Sequence, residues 1–162
     1  MKKYLYATCF VLLSLATHAQ SVKDLASSVG TWEGKLTYLD YVSAKPYTMS
    51  AILKISLTQD KMGYIMGYEY PTEPHANARD TTYVTNNLFG KDKMIEFKTT
   101  TDGGFIFITE IEGEDGNDHK KAMLRHTYVL TANSYSIVKE VKFNNSDKWI
   151  KRNEYLLNKI GH

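Results

Sequence analysis

The chain contains a single cysteine, Cys9, and it falls in the N-terminal apolar stretch rather than in the body of the protein. A disulfide framework and thiolate catalysis are excluded for anything that begins after that stretch. Proline is nearly as scarce, and two of the three, Pro71 and Pro74, share one short segment. Past the N-terminal stretch, no apolar run approaches the roughly 20 residues that a helix needs to cross a bilayer, so no membrane span is expected. Charge of one sign is missing too. Lys and Arg number 20 against 18 Asp and Glu, and loss of Lys2 and Lys3 with a leader would bring the balance to zero. A neutral domain has no electrostatic case for binding nucleic acid. No phosphate-cradling loop, nucleophile elbow or zinc-protease helix is present. His75 and His119 lie in loops without a partner at ligand spacing, so no metal site is expected there. The run Gly113-Glu114-Asp115-Gly116-Asn117-Asp118-His119 lacks the alternating ligands and distal Glu of a calcium hand and reads as a solvated turn.

The beginning of the chain is more informative. Met1-Lys2-Lys3 is basic, Leu5 to Ala16 is mostly apolar, and Thr17-His18-Ala19 before Gln20 is a small-x-small cleavage pattern. This reads as a secretory signal peptide over residues 1–19, with export to the periplasm or beyond the cell. Cys9 lies too early for a lipoprotein box, so no lipid anchor is expected. Residues 20–162 suit one domain around one core.

After the leader, Val22, Leu25, Ala26 and Val29 repeat at helical spacing, which predicts a short amphipathic helix stopped by Gly30. Strand periodicity then takes over. In residues 30–38, Trp32, Gly34, Leu36 and Tyr38 share one face and Glu33, Lys35 and Thr37 the other. Residues 47–58 alternate almost without fault and are long enough that a bend or bulge is expected. Further strands are predicted at 64–70, 80–86, 94–100, 105–112, 121–130, 134–143 and 148–159, with a longer loop at 71–79. Short connections and the lack of any intervening helix point to an all-β, antiparallel up-and-down barrel of about eight to ten strands. Closure removes the edges that an open meander would expose.

The more apolar register places Trp32, Tyr38, Met49, Leu53, Ile55, Met66, Tyr68, Phe97, Phe107, Tyr128 and Val141 inside. An interior this rich in Tyr needs hydroxyl partners, supplied either by a packed network or by a cavity with water or ligand. His126 shares the apolar register of its strand with Leu124, Tyr128 and Leu130. In the last strand both faces are similarly apolar, so the side that Arg152 and Glu154 take is open.

Gly30-x-Trp32 opening a strand meander, together with Arg152 in the terminal strand, resembles the calycin barrels: lipocalins, fatty-acid-binding proteins and nitrobindin-like haem proteins. The chain is most similar to lipocalin-like domains of secreted bacterial proteins. That resemblance implies that Trp32 closes one end of the barrel with Arg152 laid over it. It also implies a small apolar or aromatic ligand, with Tyr38, Tyr68, Phe107, His126, Tyr128 and Arg152 as candidate binding residues and no cofactor required. Fatty-acid-binding proteins hold a carboxylate with Arg-x-Tyr on the last strand. Here the run is Arg152-Asn153-Glu154-Tyr155, whose extra residue sends Arg152 and Tyr155 to opposite faces unless a bulge intervenes. Two alternatives follow from the same resemblance. One is a haem or nitric-oxide binder with His126 as axial ligand. The other is a cofactor-free lyase or isomerase using Arg152, Glu154, Tyr128 and His126.

Overall fold

The structure is a computed structural model that describes residues 22–161; the expected signal peptide over residues 1–19, with Gln20, Ser21 and His162, lies outside the described residues. Ten antiparallel strands close into a barrel in which every strand but one pair follows its sequence neighbour, and β1 closes the ring against β10. They are β1 Gly30–Leu39, β2 Pro46–Leu57, β3 Gly63–Glu69, β4 Ala78–Thr85, β5 Leu88–Phe89, β6 Asp92–Thr99, β7 Phe105–Asp115, β8 Lys120–Leu130, β9 Ser134–Phe143 and β10 Ile150–Ile160. The all-β, up-and-down closed barrel is thus the fold that the alternation predicts. The expected N-terminal helix is present only as a 3₁₀ turn, Val22–Ser28. Its Leu25 is buried in the core, and Ser28 Oγ donates to the Leu25 carbonyl.

Alternation explains the core. Trp32 and Leu36 of β1, Met49, Ala51, Leu53 and Ile55 of β2, and Tyr64 and Met66 of β3 are buried, while Glu33, Lys35, Ser50 and Lys54 between them are exposed. Gly34 occupies the inward register between Trp32 and Leu36 because β10 runs too close for a side chain: a Cβ there would meet the Leu156 carbonyl oxygen at 2.0 Å. The middle of the barrel is filled by rings. Phe107 stacks on Tyr128 with centroids 4.2 Å apart, and Phe89 meets both edge-on. A register shift between Met94 and Glu96 lets Met94 and Phe97, three residues apart, both turn inward, and Phe97 stacks on Phe105.

Trp32 lies beneath the 3₁₀ turn that precedes β1. It is fully buried, its Nε1 donates to the Ser28 carbonyl at 2.8 Å, and its ring meets Tyr135 edge-on at 5.5 Å. The cation above it, however, is Lys159, whose Nζ stands 5.1 Å from the ring centroid, and not Arg152. Lys159 is the β10 partner of Trp32 in the ladder. Arg152 lies seven residues earlier on the same strand, roughly 23 Å away at an extended rise. The expected pairing of Arg152 with Trp32 is therefore corrected: the two mark opposite ends of the barrel.

Candidate functional site

At the end away from Trp32, three side chains from distant parts of the chain converge on one carboxylate, that of Asp115. Asp115 is the last residue of β7, and its side chain is only 3% exposed. Lys139 Nζ donates to Oδ1 at 2.8 Å, while Arg152 Nε and the Tyr41 hydroxyl each donate to Oδ2 at 2.7 Å. The Arg152 guanidinium also lies over the Tyr41 ring, 3.9 Å from its centroid.

Local features of the chain put each of them there. Asp115 keeps the inward phase of Phe105, Phe107 and Thr109, after which Gly116, at φ 84°, makes a left-handed turn that most side chains would resist. Lys139 stands in the β9 alternation between buried Ile137 and buried Val141, so the same period that buries its neighbours turns it inward. Arg152 is a bulge residue. The β9–β10 register passes from Glu140 opposite Lys151 to Lys139 opposite Asn153, leaving Arg152 unmatched. The bulge overturns the face assignment that simple alternation gives, and Arg152 and Tyr155 come to line one cleft. Tyr41 reaches Asp115 from the β1–β2 loop, whose backbone is closed by Asp40 N–H to Lys45 O and Ala44 N–H to Asp40 O.

The cleft has room for about 400 Å³ and is lined by apolar Leu36 and Met49, by Tyr38, Tyr41, Tyr70 and Tyr155, and by Lys139, Arg152 and Glu73. The hydroxyls of Tyr70 and Tyr155 hydrogen-bond at 2.6 Å, tying the end of β3 to β10. Burial pushes the Tyr155 phenol far up, and the bond to Tyr70 adds to this, so it stays neutral. For Asp115, burial alone would raise the carboxyl. The bonds from Lys139, Tyr41 and Arg152 together outweigh it and hold the acid below its usual range. Burial, then the bond to Asp115, raises the Tyr41 phenol.

The residues singled out from sequence divide into three groups. Tyr38 and Arg152 line the cleft, and Tyr68 stands just behind it with its ring 5.6 Å from that of Tyr155. Phe107 and Tyr128 are packed against each other in the middle of the barrel. His126 faces inward on β8, with Nδ1 3.3 Å from Asp92 Oδ2 but out of line for a hydrogen bond, while Asp92 accepts from the buried Thr109 hydroxyl. Glu154 pairs instead with Lys151 at 2.8 Å. The acid–base set Arg152, Glu154, Tyr128 and His126 is thus held in separate pairings and not assembled. Arg125 forks onto Glu110 and lies over Trp149, a packing arrangement away from the cleft.

Sequence reasoning missed Asp115, Lys139, Tyr41 and Tyr70, and left Tyr155 on the face opposite Arg152 unless a bulge intervened, as one does. Lys139 carried a readable signal, a cation in the apolar register of its strand. Asp115 did not, because the glycines on either side of it imitate a solvated turn.

Comparison with known proteins leaves the fold resting on these strand pairings. No family model matches the chain, and no curated protein matches it. A solved structure from Nostoc punctiforme, described as a protein with unknown function from the DUF3598 family, is similar over 88% of this chain at 11% identity, with a TM-score of 0.39. The chain spans 50% of that protein's length. No helix among the described residues is long and apolar enough to cross a membrane.

Proposed function

We propose that this protein is an exported binding barrel of the calycin kind, which receives a small apolar or aromatic molecule in the cleft at its Arg152 end. The observation that carries this is the contrast between a ring-packed middle, where Phe107 stacks on Tyr128, and a mouth where Leu36, Met49, Tyr38 and Tyr155 surround about 400 Å³ of open space. That volume is within the range of small-ligand sites, and the lining mixes apolar Leu36, Leu39 and Met49 with tyrosine rings and the charged Glu73, Lys139 and Arg152. The ligand therefore sits at the mouth and leaves the barrel centre undisturbed.

Export is supported by the leader pattern over residues 1–19. N-terminal sequencing of protein from fractionated cells should find Gln20 first; a product that still begins at Met1 overturns this part of the reading. For the binding part, the methyl resonances of Met49 and Leu36 should shift when the mature protein is titrated with apolar aromatic compounds, while those of Leu53 and Leu130 at the other end stay in place. An unresponsive mouth across a broad set of such compounds would remove the proposal.

The haem reading gains no support from the geometry. A haem needs a slot with an imidazole nitrogen aimed into it. His126 has its Nδ1 against Asp92 and its ring 6.3 Å from that of Tyr128, and it is not part of the cleft lining.

A further inference from the structure

We infer that the ligand of the mouth cleft carries an uncharged, hydroxyl-rich head, of the kind a sugar supplies, which lodges in a second cleft on the far side of Tyr41 and Arg152. This rests on the proposal that the mouth cleft binds a small apolar or aromatic body, and it adds the other half of that molecule.

The second cleft has room for about 580 Å³ and lies where the β7–β8 turn meets the β9–β10 connection, lined by Gly116, Asn117, Asp118, Lys120, Phe143 and Asn145. It shares two residues with the mouth cleft, Tyr41 and Arg152. Those two stand together, the guanidinium 3.9 Å from the ring centroid, and each donates to Asp115 at 2.7 Å. The pair is a partition between two spaces, and Asp115 is what holds it up. Its Tyr41 half can open. Tyr41 is 41% exposed, and the loop that carries it is closed by its own backbone bonds between Asp40 and Lys45 and between Ala44 and Asp40. Releasing one hydroxyl bond and one ring contact therefore lets the side chain swing toward solvent without unmaking the loop.

Charge decides the class of the head. In the mouth cleft Lys139 and Arg152 share Asp115, and Glu73 lines the same space, so two cations meet two carboxylates. In the second cleft Asp118 and Lys120 pair at 2.6 Å. An ionised head finds every counter-charge already engaged. The free groups are amides: among the described residues the side chains of Asn117 and Asn145 have no hydrogen-bond partner in the protein. Each offers a carbonyl acceptor and an NH₂ donor, which suits hydroxyls on adjacent carbons, since a hydroxyl both gives and accepts. Phe143 adds an apolar ring to the same cleft, against which the C–H face of a sugar can leave water.

The test compares 2-naphthyl glucoside with 2-naphthol, the same rings without the sugar, on the mature protein. Both should shift the Met49 methyl resonance, and only the glucoside should shift the backbone amides of Gly116 and Asn117. The glucoside should bind about tenfold tighter, which two amide–hydroxyl pairings are enough to supply. Asn117→Ala combined with Asn145→Ala, both at exposed positions outside the strands, should bring the two ligands to equal affinity. 2-Naphthyl phosphate, with a charged head on the same rings, should bind more weakly than the glucoside. The inference is overturned, and the mouth-cleft proposal left standing, by equal binding of glucoside and naphthol, by a preference indifferent to the two asparagines, by Gly116 and Asn117 amides that ignore the glucoside, or by a phosphate that binds tighter than the glucoside. If none of the three compounds moves the Met49 methyl, both are overturned.

Discussion

The two ends of this barrel are built from the same strands with the same period, yet one is dry and the other is charged. Around Trp32 the inward positions are Leu53, Tyr64, Phe105, Leu130, Tyr135 and Leu157, all almost fully buried, capped by the 3₁₀ turn through the Trp32–Ser28 bond. Around Arg152 the same inward registers hold Asp115, Lys139 and Tyr155. Apolar burial yields stability in proportion to area removed from water, whereas the polar end must satisfy each group individually. The first end therefore supplies fold and the second supplies chemistry.

The largest test of that division is Trp32→Ala, which empties a fully buried site at the dry end. It should cost about 4 kcal/mol in chemical denaturation, with no change in ligand binding at the other end. Asp115→Ala comes next. It strands Lys139 and Arg152 without their counter-ion and should cost about 3 kcal/mol. A much smaller loss would mean that water already screens the cluster.

The ends should also part in their response to pH. The Asp115 carboxyl is depressed in the folded state, so its contribution is present above the unfolded carboxylate range and is lost as pH falls through the folded value. Acid should weaken the Arg152 end first, and Asp115→Asn should remove that sensitivity. At the Trp32 end, burial raises the Tyr64 phenol to about 12, with a further push from Asp24, and drives Tyr135 well up. Stability from these tyrosines is present below the ordinary phenol range, near pH 10, and is lost as pH rises through the folded values. Denaturation midpoints followed from acid to alkali in the parent and in Asp115→Asn would show whether the acid limb alone responds.

The dry end was also the more legible in sequence. Its residues follow strict alternation, so the period alone places Trp32, Leu53, Ile55 and Met66 inside, where they are buried. The charged end departs from alternation where function is expected. A bulge at Arg152 breaks the period, and flanking glycines at 113 and 116 hide the continuation of β7 to Asp115. β5 was missed for a related reason: Asn86, Asn87 and Gly90, all at positive φ, make the segment around Leu88 and Phe89 read as one turn. Arg152 was placed over Trp32 by resemblance, and only strand register could show which cation of β10 reaches that ring.

Tyr41→Phe is a smaller probe of the charged end. It deletes the 2.7 Å bond to Asp115 but keeps the ring beneath the Arg152 guanidinium. About 1 kcal/mol should be lost, and the acid limb should move up in pH because the carboxylate loses a donor.

The smallest expected effect tests whether charge matters at the dry end at all. Lys159 stands over Trp32 at 5.1 Å, farther than Arg152 stands over Tyr41, and its side chain is only partly sheltered. A cation at such a site contributes roughly 0.5 kcal/mol, and Lys159→Met retains the apolar stem that covers the indole. The denaturation midpoint should barely move, and added salt should leave it unchanged. A loss comparable to that of Asp115→Ala would show that the Trp32 end also depends on its cation, and the division between a stabilising end and a chemical one would no longer hold.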